Sequence, residues 1–415
     1  MGTELDKVIE EKALNPEVPY MPKSEWESRI AKARNLMGKA DLDAMIILNN
    51  EDRLYFFGRG KPYKYEYPNV GIIPREGPTT LISERTDSRL VQKEGFVERN
   101  IRYSGDSQAP TPRSPDPVKL VAEVMEDLNL ADKKIGMEFG AFMWWEGFNM
   151  NQWEQFKAEL PKAAFVDATD LIWENRMIKS EWEIEVMRYL YRATAKGYLE
   201  IINNAEPGKN EKELFYDALK VWMREKIIDS LNYRLNVVLL NASMYLSPYR
   251  DRILKEGDFI MFDGGPSYKG YVADIQRMVH IGDPGKEVRR LGRLATRAHE
   301  AVEDILKAGV TVGEVWKAGY SAIGREEPRI WELLKAKEHI RWAGHGEGLI
   351  EHEPPYIVEG SNFALKEGMT ISLEFAVKDS NGKTANMPED VYLITKDGFD
   401  KLSKDFGPMD IYIKT

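Results

Sequence analysis

Apolar positions recur along this chain with two different periods, and their alternation predicts a layered α/β architecture. "SEWESRIAKARNLMGKADLDAMIILNN", from Ser24, runs a helix-like start into the apolar stretch Ala44 to Leu48, which suits a buried strand. "VGIIP", "TTLIS" and "KKIGMEFG" are further strand candidates, and "DPVKLVAEVMEDLNL" repeats its apolar residues at helical spacing. A polar leader, residues 1–24, therefore precedes a compact α/β unit expected over residues 25–168. The remainder, 169–415, begins a second unit with "KSEWEIEVMRYLYRATAKGYLEIINN". There Ser180 and Glu183 stand in a capping-box arrangement, and Ile184, Met187 and Leu190 share one helical face.

The second unit echoes itself. "PGKNEKELFYDALKVWM" and "AGVTVGEVWKAGYSAIG" each place a small turn, a capping residue and an acid ahead of an amphipathic helix. "FIMFDGG" with "GYVADIQRMVHI" parallels "TISLEFAV" with "ANMPEDVYLIT", and each pair gives one acid per expected strand. Asp263 and Asp274 thus correspond to Glu374 and Glu389. Amphipathic helices resemble one another by chance; matching acids in the strands are harder to explain that way.

Bulk properties narrow the function. A length of 415 residues exceeds what one core usually organises, and 43% hydrophobic with 30% charged residues reads as ordinary globular protein. With 58 Lys and Arg against 68 Asp and Glu, a net charge of −10 speaks against nucleic acid and anionic membrane as partners. The N-terminal "MGTELDKVIEEKALNPEVPY" lacks the apolar core of a signal peptide, and no stretch reaches the roughly 18 apolar residues of a membrane span. Zero cysteines exclude disulfides, thiolate ligands and a cysteine nucleophile, and they fit the cytoplasm.

Asp is depleted in strands and costly to bury alone, so acids at strand positions need a partner. If the repeats fold together, four such carboxylates converge and repel, and divalent cations remove that repulsion. Carboxylates suit Mn, Mg or Fe, while one imidazole brings Co or Zn into range. Of five histidines, His280, His299 and His339 lack acidic partners or sit in charged sequence and read as structural or solvated. His345 lies between glycines in "AGHGEGLIEHEPP", and His352 stands between Glu351 and Glu353. Backbone can approach closely at glycine, which favours His345 as a ligand.

Asp263, Asp274, His345, Glu374 and Glu389, in this order and approximate spacing, resemble the metal site of the metallopeptidase family of creatinase, aminopeptidase P, prolidase and methionine aminopeptidase. The resemblance extends over nearly the whole chain. "EDRLYFFG" looks like an early strand of the creatinase-type N-terminal domain, and "MIKSEWEIEVMR" like the start of the catalytic domain. "EGDFIMFDGG" with "GYVADIQR", "GHGEGLIEHEPP", "LKEGMTISLE" and "PEDVYLITKDGFDKLS" look like the successive metal-binding motifs. It implies the pita-bread fold, an α/β (α+β) domain with pseudo-twofold halves sharing a curved sheet. It also implies two divalent ions (Mn, Fe, Co or Zn), with Asp274 and Glu389 bridging, Asp263 completing one site, His345 and Glu374 the other, and His352 contacting substrate. A hydroxide held by two cations that also polarise a carbonyl makes amide hydrolysis feasible, with Glu374 shuttling a proton and His352 steadying the oxyanion. The expected activity is hydrolysis of a small amide or short peptide, most conventionally before proline, by a homodimer.

Some residues depart from the family pattern. "NASMYLSPYRDRILKEGD" offers Leu246 and Ser247 where a substrate-contacting histidine is usual. Phe375 follows Glu374 in place of proline, and Met387 and Pro388 precede Glu389. Glu347, at a usually apolar position, is expected to be solvated, the alternative being an acid near substrate. The ring-rich "YFFGRGKPYKYEYP" and "FMWWEGFNMNQW" suit core or interface packing, or a cationic substrate as in the creatinase and dimethylsulfoniopropionate lyase branches. Gly265 stands where the lyase branch tends to carry an acid. A non-catalytic binding protein is a further alternative, since the same fold occurs in a histone chaperone subunit and in RNA-binding relatives; five retained ligands speak against it.

Overall fold

The computed structural model describes residues 21–58, 69–84, 95–103, 117–139, 150–228, 238–240, 251–329, 332, 342–378, 384–407 and 412–414. The chain divides into two compact units, one within residues 19–176 and one within residues 177–415.

The first unit is a six-stranded mixed sheet in the order β4-β3-β2-β1-β5-β6. Its strands are β1 (Ala44–Ile47), β2 (Val70–Pro74), β3 (Thr80–Glu84), β4 (Arg99–Tyr103), β5 (Lys134–Met137) and β6 (Ala164–Asp167). Helices α1 (Lys23–Lys39), α2 (Asn50–Phe57), α3 (Pro117–Asp127), α4 (Met150–Glu159) and α5 (Thr169–Met177) complete it. Ile46, Ile72, Ile82 and Ile135 from the sheet pack with Val121 and Met125 of α3 and Phe156 of α4, so the apolar runs and the helical repeat meet in one core.

The stretch "EDRLYFFG", expected as a strand, lies in α2. Its N-terminus explains why: the Asn49 side chain accepts from the Glu51 N–H, Glu51 and Asp52 occupy the first turn, and Gly58 at φ 70° ends the helix. Tyr55, Phe56 and Phe57 are buried in the unit. Trp153 packs edge-on to Phe165, 5.4 Å between ring centroids. The described rings of the two aromatic segments are therefore core; residues 59–68 and 142–149 lie outside the described residues.

The second unit repeats a motif. In its first half, α6 (Glu181–Asn204) and α7 (Glu211–Arg224) accompany a four-stranded sheet β18-β11-β8-β7. Its members are β7 (Val238–Leu240), β8 (Phe259–Asp263), β11 (Arg277–Ile281) and β18 (Tyr412–Lys414). In the second half, α8 (Gly285–Glu303) and α9 (Val312–Glu326) accompany the sheet β12-β13-β16-β17. That sheet comprises β12 (Gly344–Gly346), β13 (Thr370–Glu374), β16 (Glu389–Ile394) and β17 (Phe399–Lys401). Each half also inserts a two-stranded ribbon between its acid-bearing elements: β9 (Ser267–Tyr268) with β10 (Tyr271–Val272), and β14 (Val377–Lys378) with β15 (Thr384–Asn386).

The caps read from sequence are present. Ser180 and Glu183 form the capping box of α6, Thr311 and Glu314 that of α9, and Asn210 caps α7. Two helix glycines make room for rings. A Cβ on Gly197 would meet the Trp222 ring at 2.1 Å, and one on Gly319 would meet Phe375 at 2.2 Å. Phe375, where proline is usual, thus fills a notch in α9 immediately after Glu374. The halves are joined by backbone hydrogen bonds: Glu389 N–H donates to Gln276 O at 3.1 Å, and Val272 N–H donates to Gly348 O at 2.9 Å.

In the first unit, Arg176 donates to Asp52 at 2.7 Å, both buried. Burial pushes Glu138 up to about 8, the Asp52 carboxylate adds to the rise and Arg176 opposes it. A raised carboxyl pKa means the folded state holds a proton that the unfolded chain has already lost, so stability declines between pH 4.5 and about 8. The slope for one proton is at most about 1.4 kcal/mol per pH unit. Glu138→Gln keeps a donor toward Asp52 without the titration. Its melting temperature is expected to decline less from pH 5 to 9 than that of the unmodified protein, and to exceed it above pH 8; parallel profiles would refute the assignment.

Candidate metal centre

Strand ends and one tight link carry the acids to a common place. Asp263 is the last residue of β8, Glu374 the last of β13, and Glu389 the first of β16. Glu374 and Glu389 oppose each other directly in register. Asp274, expected in a strand, lies instead in the link between β10 and β11. The ribbon turn at Lys269 and Gly270, both at positive φ, and the Ala273 N–H bond to Pro266 O fold the chain back. The ladder of β8 with β11 starts at Arg277, opposite Phe262. The echo therefore holds for the acids and not for their register.

His345 is central in β12, whose pairing with β13 sets it opposite Ser372. Gly344 sits at φ 148°, and a Cβ there would meet Ser372 O at 2.0 Å, so the glycine lets the strand close on β13. His352 returns toward the site because Gly346 and Glu353 exchange backbone hydrogen bonds of 2.7 and 2.8 Å. The buried pair Lys179 and Glu353, 3.2 Å apart, anchors that loop, and Glu353 also accepts from Leu349 N–H at 2.8 Å.

The structure brings all six residues together. His345 Nε2 stands 3.5 Å from Glu389, 3.9 Å from Asp274 and 3.9 Å from Glu374. His352 Nε2 is 3.7 Å from Asp274. Ligand atoms of Asp263, Asp274 and Glu389 lie within 4.8 Å of one another, as do those of Asp274, His345 and His352. Burial pushes Asp274 and Glu389 well up, and the neighbouring carboxylates add to it. Burial also raises Glu374 to about 8 and Asp263 to about 6.

His345 tests whether a cation fits. Its Nδ1 lies 3.1 Å from Gly346 O, a pure acceptor, so Nδ1 carries the proton. Burial holds the ring pKa well below its ordinary value, with His352 adding to the depression, which leaves the imidazole neutral. A bare Nε2 lone pair therefore faces carboxylates, buried and without a hydrogen-bond partner. A divalent cation satisfies this nitrogen and the acids at once, and a mixed imidazole and carboxylate set suits Mn, Fe, Co or Zn.

Surrounding residues hold the set in place. Ser372 donates to Glu389, and Tyr198 donates to Gly264 O beside Asp263. Arg277 donates to Glu389 O at 2.6 Å and to Asp390 at 2.7 Å. Burial pushes Asp390 up, but Arg277 and Lys401 outweigh it and hold the carboxyl below its ordinary value. His299 is structural, as expected: it is buried on α8 and bonds Pro388 O at 2.9 Å, immediately before Glu389. His280 is buried in β11, 5.2 Å from the Phe259 ring. Trp342 stacks on Tyr356 and meets the His352 ring edge-on at 4.9 Å. His339, Leu246 and Ser247 lie outside the described residues.

Glu347 corrects an expectation. It is fully buried, not solvated, its N–H and carbonyl both bonded to Thr370 of β13. Tyr191 on α6 donates to its carboxylate. Sequence reasoning missed Tyr191, Lys179 and Trp342; Ser372 was accessible, since alternation in β13 places it on the face of Glu374.

Metallopeptidase family M24 matches residues 185–396, more than half of the chain. The chain belongs to metallopeptidase family M24. The creatinase/prolidase N-terminal domain matches residues 29–178, and both matches bear out the resemblance seen in the motifs. The "Probable dipeptidase PepE" of Mycobacterium bovis is 25% identical over 382 residues, covering 90% of this chain and 93% of that protein. The Xaa-Pro dipeptidase of Pyrococcus furiosus is 28% identical over 254 residues, 60% of this chain and 70% of the relative. The prolidase structure from Thermococcus sibiricus superposes with a TM-score of 0.78 at 22% identity, covering 93% and 99% of the two chains, which shows the shared fold. The M24 domain has the pita-bread architecture, and the chain is a hydrolase of a metal-dependent family.

Raised carboxyl pKa values set the pH behaviour of the metal-free protein. Folded Asp263 and Glu374 keep protons up to about pH 6 and 8 that the unfolded chain loses at 3.8 and 4.5, so stability falls with rising pH across that interval. Melting curves after chelation are expected to drop between about pH 4.5 and 8, and added Mn to restore them. Asp274→Asn is expected to melt higher than the unmodified protein without metal at pH 8.5 and to gain nothing from Mn. A metal-induced gain equal to that of the unmodified protein would exclude Asp274 from the site.

Proposed function

We propose that this M24 member is a dinuclear metal-dependent dipeptidase or aminopeptidase acting on short peptides with proline after the scissile bond. The observation that carries it is the buried, unpartnered His345 Nε2 aimed into converging carboxylates. Asp274 and Glu389 would be shared by both ions, Asp263 would complete one site, and His345 with Glu374 the other. Bound there, the ions would supply an activated hydroxide and polarise the scissile carbonyl.

The chain's own residues do the rest. Glu374, at the end of β13 and 3.9 Å from His345 Nε2, is placed to take a proton from the nucleophile and return it to the leaving nitrogen. His352 keeps part of its ring exposed and is held neutral by burial, near 4, which suits it to donate to a carbonyl oxygen as negative charge develops. Trp342 and Tyr356 hold its ring on one side. Asp390, Arg277 and Ser403 fix the start of β16, so Glu389 does not have to be repositioned during turnover.

The N-terminal domain is assigned to residues 25–168 and the catalytic domain to 169–415. Family resemblance adds a homodimer, a cytoplasmic setting and manganese as the first ion to supply; relatives named as dipeptidases and as Xaa-Pro dipeptidases support the substrate class.

Purified protein loaded with Mn, Fe, Co or Zn is expected to release proline from Xaa-Pro dipeptides, and chelation to abolish it. His352→Ala is expected to lose about 100-fold in kcat while retaining metal. Undiminished kcat would remove His352 from catalysis, and turnover of dimethylsulfoniopropionate instead of any Xaa-Pro peptide would replace the peptidase reading.

A further inference from the structure

The Tyr191 hydroxyl sits between the two halves of the catalytic unit. It accepts a hydrogen bond from the Asp274 N–H at 3.2 Å and donates its own proton to Glu347. A phenol has one proton, so its 3.4 Å approach to Asp274 O is the alternative use of that proton. Glu347 in turn is tied to β13: its carbonyl accepts from the Thr370 hydroxyl at 2.8 Å, and its N–H donates to Thr370 O at 3.3 Å. Tyr191 is the one hydrogen-bond partner of the Glu347 side chain among the described residues, the other carboxyl oxygen having none.

A chain of bonds therefore runs from β13 through Glu347 and Tyr191 to the backbone of Asp274. That residue needs such support, because it lies outside the β-ladder that holds Glu374 and Glu389. A buried acid bonded only to a tyrosine is costly unless the bond serves something. An apolar side chain at 347 would cut the link from Tyr191 to Glu347 and β13, so that Tyr191 and Asp274 could shift together.

We propose that Glu347 and Tyr191 are positioning residues that fix Asp274, and through it the geometry in which the site takes up its cations. The inference rests on the metal-site reading above. Neighbours of metal ligands commonly change affinity by roughly 10-fold to 100-fold when removed.

The test compares the full-length protein with Glu347→Leu, Glu347→Gln and Tyr191→Phe, where Gln keeps an oxygen acceptor for the phenol and the other two break the chain. Mn affinity is read by competition with a chelator, and hydrogen exchange of the segment around Asp274 is read in the metal-free proteins. Glu347→Leu and Tyr191→Phe are expected to bind Mn roughly 10-fold to 100-fold more weakly and to exchange the Asp274 amide faster, with Glu347→Gln close to the unmodified protein. Unchanged affinity and exchange in both disruptive variants would overturn the proposal, as would a Gln variant as impaired as the Leu variant. Should the unmodified protein take up no Mn, the metal-site reading fails by itself, while the exchange data still decide whether Glu347 and Tyr191 hold Asp274. Tyr191→Phe keeps the test informative if Glu347→Leu does not fold.

Discussion

The structure depends on placing four carboxylates and a neutral imidazole where water cannot solvate them. Two unit charges about 4 Å apart repel by about 4 kcal/mol at an effective dielectric of 20. Ligand atoms of Asp263, Asp274 and Glu389 lie within 4.8 Å of one another, a comparable separation. Asp390 shows the alternative solution nearby. It is equally buried and faces Arg277 at 2.7 Å, with Ser403 donating to it, and its carboxyl stays ionised. Adjacent residues of β16 thus meet opposite environments: Asp390 has a protein cation, and Glu389 faces other acids, Ser372 and the neutral His345 ring. The strand alternation that separates their faces separates a structural carboxylate from one available to an external cation.

Much of this was legible in the sequence because burial leaves a compositional trace. The caps of α6 and α9, the strands around Ile46 and Ile72, and the acids at 263, 374 and 389 are each set by residues within a few positions of themselves. Asp274 was harder. Its identity as a converging acid could be read, but its departure from the strand follows from the turn at Lys269 and Gly270 and from bonds made across the fold. "EDRLYFFG" failed for a related reason: aromatic and apolar residues fit a strand, and the Asn49 cap together with Gly58 decided for a helix.

Glu347 was misread because polarity is a guide to exposure only when nothing buried can pair with the group. Tyr191 lies far away in sequence, and no local pattern connects the two. The same applies to Lys179 and Glu353, an ion pair between the segment before α6 and the loop after β12. Long-range pairings of this kind shape the second layer around the site, whereas the first layer comes from repeated strand ends. The fold and the acids were therefore readable while the supports were not.

The joining bonds between the halves, Gln276 to Glu389 and Val272 to Gly348, begin and end beside the converging side chains. Glu389 is itself the donor in one of these bonds, and Gly348 lies three residues beyond His345. The spacing of the donor set is thereby tied to the register of one half against the other, and a slip of either half would change it.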